Sequence, residues 1–574
     1  MKRLFILFLL LSGSAFGSNT VYISHAGAGS ANGTSCSNAE PYSYFNSSAN
    51  WSSSPTGVQI GPGTTVHGCS ETWNDASAGD VALTFQCATA NGTSSNPITL
   101  SFDQGATNLY NGSYWNASGA IENTGSCTYV VLNGDNNLTI SNQSSGGSPT
   151  NGSGLANEQT SVGIEFDGCT QCTIENTTVK NIYINAGSSS GATDVNGANT
   201  IGITITGPGT GSIISGNTVS SSRGNIELQP DPNADITGAQ IINNTISDDG
   251  WAIVVGGGDC GDTGTGIIIA GNNITNWTNW QFPTSSYHQD GIFVFNNCTT
   301  AAVFTGSIYD NYVYGNLGAG SPTGYVYVAE NTSFNIFNNL IVETGSTVGQ
   351  PGMFWIGSAN NDAWSGGHNI YNNTMVANKS GDTCVTFATT FWHHQAYSLG
   401  FIITDSNGRE EKVTTAGTSG TSAPSWPSSS GITTNDGGTL VWTSQAKNQS
   451  VIQNNVFVGC TIGFNDYYNG VELSTINRNV WSGSPTMALL NGADFCGTSS
   501  NPITLTFDQG ATNLYNTSYW GANGAIENTG SCTYVLLFNR IGLHRFGHQH
   551  DDHDWPMRQN LFRQLELLRD PKIR

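Results

Sequence analysis

One short phrase, repeated along most of the chain, constrains the fold more than any other feature. From about residue 163 to 481 an apolar residue, variable positions, an Asn, one more position and a second apolar residue recur. The phrase reads ISGNTV at 214–219, INNTI at 242–246, AGNNI at 270–274, IYDNYV at 308–313, IFNNLI at 336–341, IYNNTM at 370–375, IQNNVF at 452–457 and INRNV at 476–480. Its Asn markers are Asn217, Asn244, Asn273, Asn311, Asn339, Asn373, Asn455 and Asn479, spaced 27, 29, 38, 28, 34, 82 and 24 residues apart. Such a period, joining a short alternating strand to Asn/Gly turns, marks a solenoid. With no helical periodicity the solenoid is expected to be an all-β parallel β-helix. Its strands are too short to fold alone and are buried only by the turns of coil above and below. The marker Asn suits a tight left-handed bend, because Asn tolerates positive φ and bonds its own backbone. Stacked copies can also form an amide ladder along the axis.

Composition agrees. A chain of 574 residues exceeds one ordinary core, but a quasi-one-dimensional stack has no such ceiling. Gly at 72 residues and charged residues at only 10% suit a coil with many turns. A formal charge of −23 argues against nucleic acid and anionic membranes as partners.

Residues 1–17 read as a secretory signal peptide: Lys2 and Arg3, an apolar run at 4–11, then Ala15-Phe16-Gly17, with cleavage expected after Gly17. No other stretch approaches the roughly 18 apolar residues of a membrane span, so the expected product is secreted and soluble. The 12 Cys of an exported chain read as disulfides. The expected pairs are Cys36 with Cys69, Cys87 with Cys127, Cys260 with Cys298, and Cys384 with Cys460. Cys169-x-x-Cys172 has no second CxxC nearby, so zinc is not expected there.

The expected organisation is a cap with first coils at 18–160, a β-helix core at 161–390, a small inserted β-module at 391–446 and final coils at 447–490. A near-copy of 92–132 follows at 491–537: residues 497–537 differ from 92–132 at five of 41 positions. That identity points to a duplication or a joining error. The tail at 538–574 then holds seven of the chain's 16 basic residues, as after a change of frame. Its His548-Gln549-His550-Asp551-Asp552-His553 string fits the H-x-H-x-D-H of metallo-β-lactamase-type sites. Nothing upstream supplies the other ligands, so no metal is expected.

The opening YIS at 22–24, PGTTV at 62–66 and NPITLSF at 96–102, with coils such as INNTI, NIFNN and DGIFVF, resembles the pectate-lyase-like superfamily over about 19–390 and 447–490. The resemblance implies a right-handed parallel β-helix of exported, polysaccharide-active or glycan-binding proteins. It is specific for fold and not for reaction, since lyases, hydrolases, epimerases and adhesins share the scaffold. The insert, with Trp392, Tyr397, Gly400, Trp426 and Trp442, resembles compact modules of carbohydrate-binding and surface proteins. Trp392 and Trp426 are either sugar platforms or the module's own small core.

Aligning strands by their Gly (VGIEF, IGITI, RGNIEL, DGWAIV, DGIFVF, TGYVYV, PGMFWI) puts Arg223, Asp249 and Asp290 before Gly on consecutive coils. Neighbouring strands lie about 4.8 Å apart, so Asp249 and Asp290 are expected to face each other as a carboxylate pair. Asp248, His288 and Glu227 lie nearby in sequence. Trp251, Trp277, Trp280, Tyr287, Tyr325 and Tyr327 are candidate sugar subsites. Two close carboxylates push their pKa values apart, leaving one acid and one base, the equipment of glycoside hydrolysis. His288 could orient a carboxylate or relay a proton. The plainer reading makes D-G a turn dipeptide. YHQDG at 287–291 resembles the Asp-Gly strand entries of polygalacturonase-like β-helices, although this chain has no G-H-G and no R-I-K. No cofactor is expected for a hydrolase. In a lyase, Asp248, Asp249 and Asp290 would hold Ca²⁺ and Arg223 would be the base. Only Lys180, Arg223, Lys379, Arg409, Lys412, Lys447 and Arg478 are basic between signal peptide and tail, so a neutral or weakly charged polysaccharide fits better than a polyanion. A glycan-binding adhesin without catalysis is the third reading.

Overall fold

The structure, a computed structural model, describes residues 19–142, 160–182, 200–229, 234–257, 262–277, 288–296, 303–317, 321–329, 331–345, 352–357, 367–378, 383–388, 392, 394–405, 409–445, 450–466, 473–477 and 479–482, with short strands between 489 and 539. For residues 248, 249 and 288 it describes the backbone alone. One turn of the coil is Gln240–Ile242, Thr245–Asp249 and Trp251–Gly257. Each of these strands pairs in parallel with its counterpart one turn later, Ile267–Ala270, Asn273–Trp277 and His288–Asn296. Repetition gives a right-handed parallel β-helix with three faces, named A, B and C in that order. Faces A and B merge into a 26-stranded sheet, because only a two-residue bend separates them; face C is a 13-stranded sheet.

The alternation read in the sequence becomes vertical columns. On face A, Leu132, Ile174, Ile214, Ile241, Ile269, Ile308, Ile336, Ile370 and Ile452 stand in register and point into the core. Each is at most 1% exposed. Burying one such side chain contributes about 1.5–3 kcal/mol, available only once a neighbouring turn has docked.

Between faces A and B runs the amide ladder. Its members are Asn217, Asn244, Asn272, Asn311, Asn339, Asn373, Asn455 and Asn479, and each but the last passes an Nδ2 hydrogen to the next Oδ1 over 2.9–3.1 Å. Every Nδ2 from Asn217 to Asn479 also donates to a carbonyl one turn back. Each Oδ1 additionally accepts a backbone N–H from the turn before it. Two details differ from the sequence reading. The left-handed bend falls on the residue before the ladder Asn: Gly216, Asn243, Gly271, Asp310, Asn338, Asn372 and Asn454 carry φ of 55–66°. In AGNNI Gly271 takes that bend, so Asn272 and not Asn273 enters the ladder. The ladder needs its amide buried and facing along the axis, which the extended residue after the bend provides.

The Asn373–Asn455 bond crosses the 82-residue gap, so the insert leaves adjoining turns of the coil in contact. Cys384–Cys460 ties the same two turns, and Cys36–Cys69 and Cys87–Cys127 tie the first ones. Cys169 and Cys172 bond to each other. Cys260 and Cys298 lie outside the described residues. Four disulfides suit an oxidising compartment. Among the described residues no helix is long and apolar enough to cross a membrane. In the near-copy, Ile503 pairs with Val535 as Ile98 pairs with Val130, the same register 405 residues on. The signal-peptide segment and the tail motif at 548–553 lie outside the described residues.

The insert folds into a four-stranded antiparallel sheet and a two-stranded one. Its small core is Tyr397, Phe401, Ile403, Val413, Leu440 and Trp442. Half-buried Trp392 and Trp426 pack on that core. The Trp392 and Trp442 indole N–H groups both donate to Asp436 Oδ2, at 2.5 and 2.9 Å, and Trp426 meets Trp442 edge-on at 5.8 Å. Burial pushes the carboxyls of Glu410 and Glu411 up to about 8; at Glu411 nearby Asp405 adds to the rise, while Ser444 and Arg409 oppose it. In the unfolded chain these groups titrate near 4.5. Between the two values the folded module holds protons that the unfolded one has released, so its stability falls as pH rises through that window. Glu411→Gln is therefore expected to raise the module's unfolding temperature at pH 8 and leave it nearly unchanged at pH 4.5, followed by tryptophan fluorescence. A variant less stable at pH 8 would mean that the carboxyl is carried charged.

Candidate active site on face C

Strand pairing on face C does not follow the Gly alignment. Val162, Ile201, Gly224, Trp251, Asp290 and Gly324 stand in one column. Asp290 is therefore opposite Trp251, not Asp249. Asp249 ends a face B strand and pairs with Trp277. The expected Asp249–Asp290 pairing across adjacent strands is thus corrected: the two acids belong to different sheets. The reason is that these glycines serve different needs. A Cβ at Gly163 or Gly202 would overlap the Val179 or Val219 methyls inside the coil, whereas Gly250 occupies the corner between faces B and C.

What the register does assemble is a second set of acids. Along Gly224–Gln229, Ile226 and Leu228 point into the core, so Glu227 points outward. It is nevertheless only 3% exposed. Its carboxyl curls back over Gly224, where any Cβ would overlap Glu227 Oε1. Gln229 Nε2 donates to Glu227 Oε2 at 2.5 Å. Burial raises the Glu227 carboxyl to about 7, and the Arg223 charge and the Gln229 bond hold it from rising further. The Arg223 guanidinium lies over the Trp251 ring, 4.8 Å from its centroid. Asp290, fully buried, accepts the Thr323 hydroxyl on Oδ1. Gly224, Trp251 and Asp290 are successive members of one column, so the backbone of Asp290 stands two inter-strand steps, roughly 9.5 Å, from that of Gly224, over which the Glu227 carboxyl lies.

C-terminal to this cluster the outward column continues from Glu227 through Val254, Phe293 and Tyr327 to Trp355. Phe293 stacks on Tyr327 at 4.7 Å and 9°, and Tyr327 meets Trp355 at 5.1 Å with the rings tilted by 37°. Phe293, Phe295 and Trp355 were not singled out from the sequence, although FVF at 293–295 alternates around a core valine as outward rings must. N-terminal to it the same column is acidic and polar: Glu122, Glu165 and Thr204.

The other predicted residues separate. Trp277 and Tyr325 are core side chains: their rings meet edge-on at 5.5 Å, the Tyr325 hydroxyl donates to Gly315 O, and Trp277 Nε1 donates to the Asp290 carbonyl. Both rings, expected from the sequence as sugar subsites, are turned into the coil. Tyr327 faces outward but is 4% exposed. Trp251 is half-buried beneath Arg223. The side chains of Asp248, Asp249 and His288, and all of Trp280 and Tyr287, lie outside what is described.

Among solved structures the chain is similar to pectate lyase Pel9A, with 14% identity over 68% of this chain and 79% of that one and a TM-score of 0.38. It is also similar to PfbA, a surface adhesin of Streptococcus pneumoniae, with 10% identity, 60% and 83% coverage and a TM-score of 0.37. A GH136 lacto-N-biosidase from Eubacterium ramulus gives 13%, 64% and 64%, and 0.32. The likeness is one of coil. No protein-family model matches the chain, and no curated protein does.

Proposed function

We propose that this is a secreted glycoside hydrolase acting on a neutral or weakly charged polysaccharide along face C, with Glu227 as general acid and Asp290 as general base. The observation that carries it is the outward-pointing yet buried Glu227, whose carboxyl burial raises to about 7, on a column two strand steps from a second buried acid. Glu227 gives its proton to the departing glycosidic oxygen; Asp290 takes one from the attacking water. Two strand steps between the positions that carry these carboxyls favour the wide spacing of inverting enzymes, roughly 6.5–9.5 Å, over the roughly 5–5.5 Å of retaining ones. Arg223 and Trp251 lie between the acids, and Phe293, Tyr327 and Trp355 continue the outward-pointing column, with Tyr327 and Trp355 buried. No cofactor enters this reading. The Ca²⁺-dependent lyase alternative would draw ligands from Asp248, Asp249 and Asp290, whose backbones fall on two different sheets.

The test is a purified-protein screen against neutral and uronate polysaccharides, reading reducing ends and unsaturated-uronate absorbance together, with and without chelator. New reducing ends from a neutral glycan, without absorbance and indifferent to chelator, are expected. Chelator-sensitive unsaturated product would establish a lyase instead, and retention on a glycan without cleavage would establish an adhesin.

A further inference from the structure

Face A carries an outward surface unrelated to the acids of face C. Strands Phe304–Tyr309, Thr332–Phe337 and Asn369–Tyr371 lie side by side, with Ser307, Asn335 and Asn369 in one column and Tyr309, Phe337 and Tyr371 in the next. Ile308, Ile336 and Ile370 between these columns point into the core, so both columns point out. The three rings stack at 4.8 and 5.0 Å with planes within 5° of parallel. Each ring covers a face of the next, so the stack forms a rigid wall and does not offer ring faces to a ligand.

Beside that column lies a groove of about 390 Å³, lined by Thr305, Ser307, Ser333, Asn335 and Asn369, by Phe334 and by glycines. Gly306 is required by packing beneath the groove: a Cβ there would overlap the Ile267 carbonyl and lie 2.8 Å from the buried Phe334 ring. At Gly266, φ +68°, an added Cβ would meet nothing within 4 Å, which marks unfilled space. Asn369 Nδ2 donates to Asn335 Oδ1 at 2.8 Å, and Ser333 Oγ to the Gly367 carbonyl at 3.3 Å. Among the described residues no further side-chain bond engages Asn335 Nδ2, Asn369 Oδ1 or the Ser307 hydroxyl. No charged residue lines the groove.

Amide and hydroxyl groups fixed on strands, offering donors and acceptors in turn with no charge, match a ligand that is itself a rigid array of neutral hydroxyls. An anion would find no cation there, and a metal ion no carboxylate. We propose that this groove is a second glycan site, binding a neutral oligosaccharide independently of face C. It would hold a polysaccharide strand while the acids act on another, or on another part of the same chain.

The full-length protein is titrated calorimetrically with neutral gluco-, manno-, xylo- and galacto-hexasaccharides, beside Ser307→Phe, which fills the groove from its solvent side, and Asn335→Ala, which removes one amide. At least one sugar is expected to bind the parent, and both variants to weaken that binding by about tenfold or more. The melting temperature of Ser307→Phe and any face C cleavage of a soluble substrate should stay unchanged. Affinity equal in all three proteins, or lost only in step with melting temperature, would overturn the proposal and leave the Asn335–Asn369 pair a coil-stabilising contact. Binding of Ca²⁺ or an oligouronate in place of the neutral sugars would overturn it too. The readout is binding, so an inactive face C does not affect it, and a failed titration leaves the hydrolase reading standing.

Discussion

Asn311→Ala is expected to destabilise the coil by about 2–6 kcal/mol, because it leaves two buried backbone groups without this partner at roughly 1–3 kcal/mol each and takes one of two bonds from a third group. The Asn272 backbone N–H and Asn272 Nδ2 both lose Asn311 Oδ1, and the Ile269 carbonyl loses Asn311 Nδ2. Water cannot replace these partners, since Asn311 is 1% exposed, flanked along the chain by the core residues Ile308 and Val313. In a coil, whose turns touch only their neighbours, the damage should also split unfolding. Hydrogen exchange should show protection dropping around 267–313 before the first turns are affected. The control is one residue from the next ladder member. Asn338→Gly, at φ 56°, relieves a left-handed backbone that costs a non-glycine residue about 1–2 kcal/mol, offset by about 0.5–1 kcal/mol of added chain entropy. It should be near neutral. If Asn338→Gly and Asn311→Ala cost the same, the division of labour between bend and ladder is wrong.

That division shows where the sequence stopped being readable. The repeat itself was plain, since every turn needs an isoleucine facing in and an Asn beside it. Bend and ladder occupy adjacent positions and both accept Asn, so letters alone do not say which does which. Asn243 and Asn244 differ in role but not in kind, and in AGNNI the sequence marker landed one residue late. The active-site register failed for a related reason. Gly163 and Gly202 are small because a core valine crowds them, Gly224 because the Glu227 carboxyl lies on it, and Gly250 because the chain turns there. Aligning all of them merges three separate requirements. Asp249 then moves beside Asp290, and Glu227, three residues past its glycine, drops out of the central pair. Tyr325 and Tyr327 are separated similarly: period-two alternation puts them on one side, but the strand bends at its entry, sending the first ring into the core and the second outward.

The register correction makes the catalytic prediction selective. Glu227→Gln and Asp290→Asn should each lower kcat by about 10²–10⁴-fold, the usual contribution of a positioned acid or base, with KM changed far less. Asp249→Asn, on the neighbouring sheet, should keep most of its activity. Because Glu227 must be protonated to act and its carboxyl titrates at about 7, the parent's kcat should fall as pH rises through that value. Arg223 lowers the Glu227 pKa, so Arg223→Gln should move this alkaline limb to higher pH, while any residual activity of Glu227→Gln should lack it. Gly224→Ala, which pushes a methyl into the place of the carboxylate, should lose kcat with little loss of stability beyond that turn of the coil. Proton NMR of the first-released sugar should show the inverted anomer, the outcome when a water held by the general base Asp290 attacks the anomeric carbon from the face opposite Glu227. Retention of configuration, or an Asp249→Asn enzyme as dead as Asp290→Asn, would move the chemistry away from the Glu227–Asp290 pair and back to the corner between faces B and C.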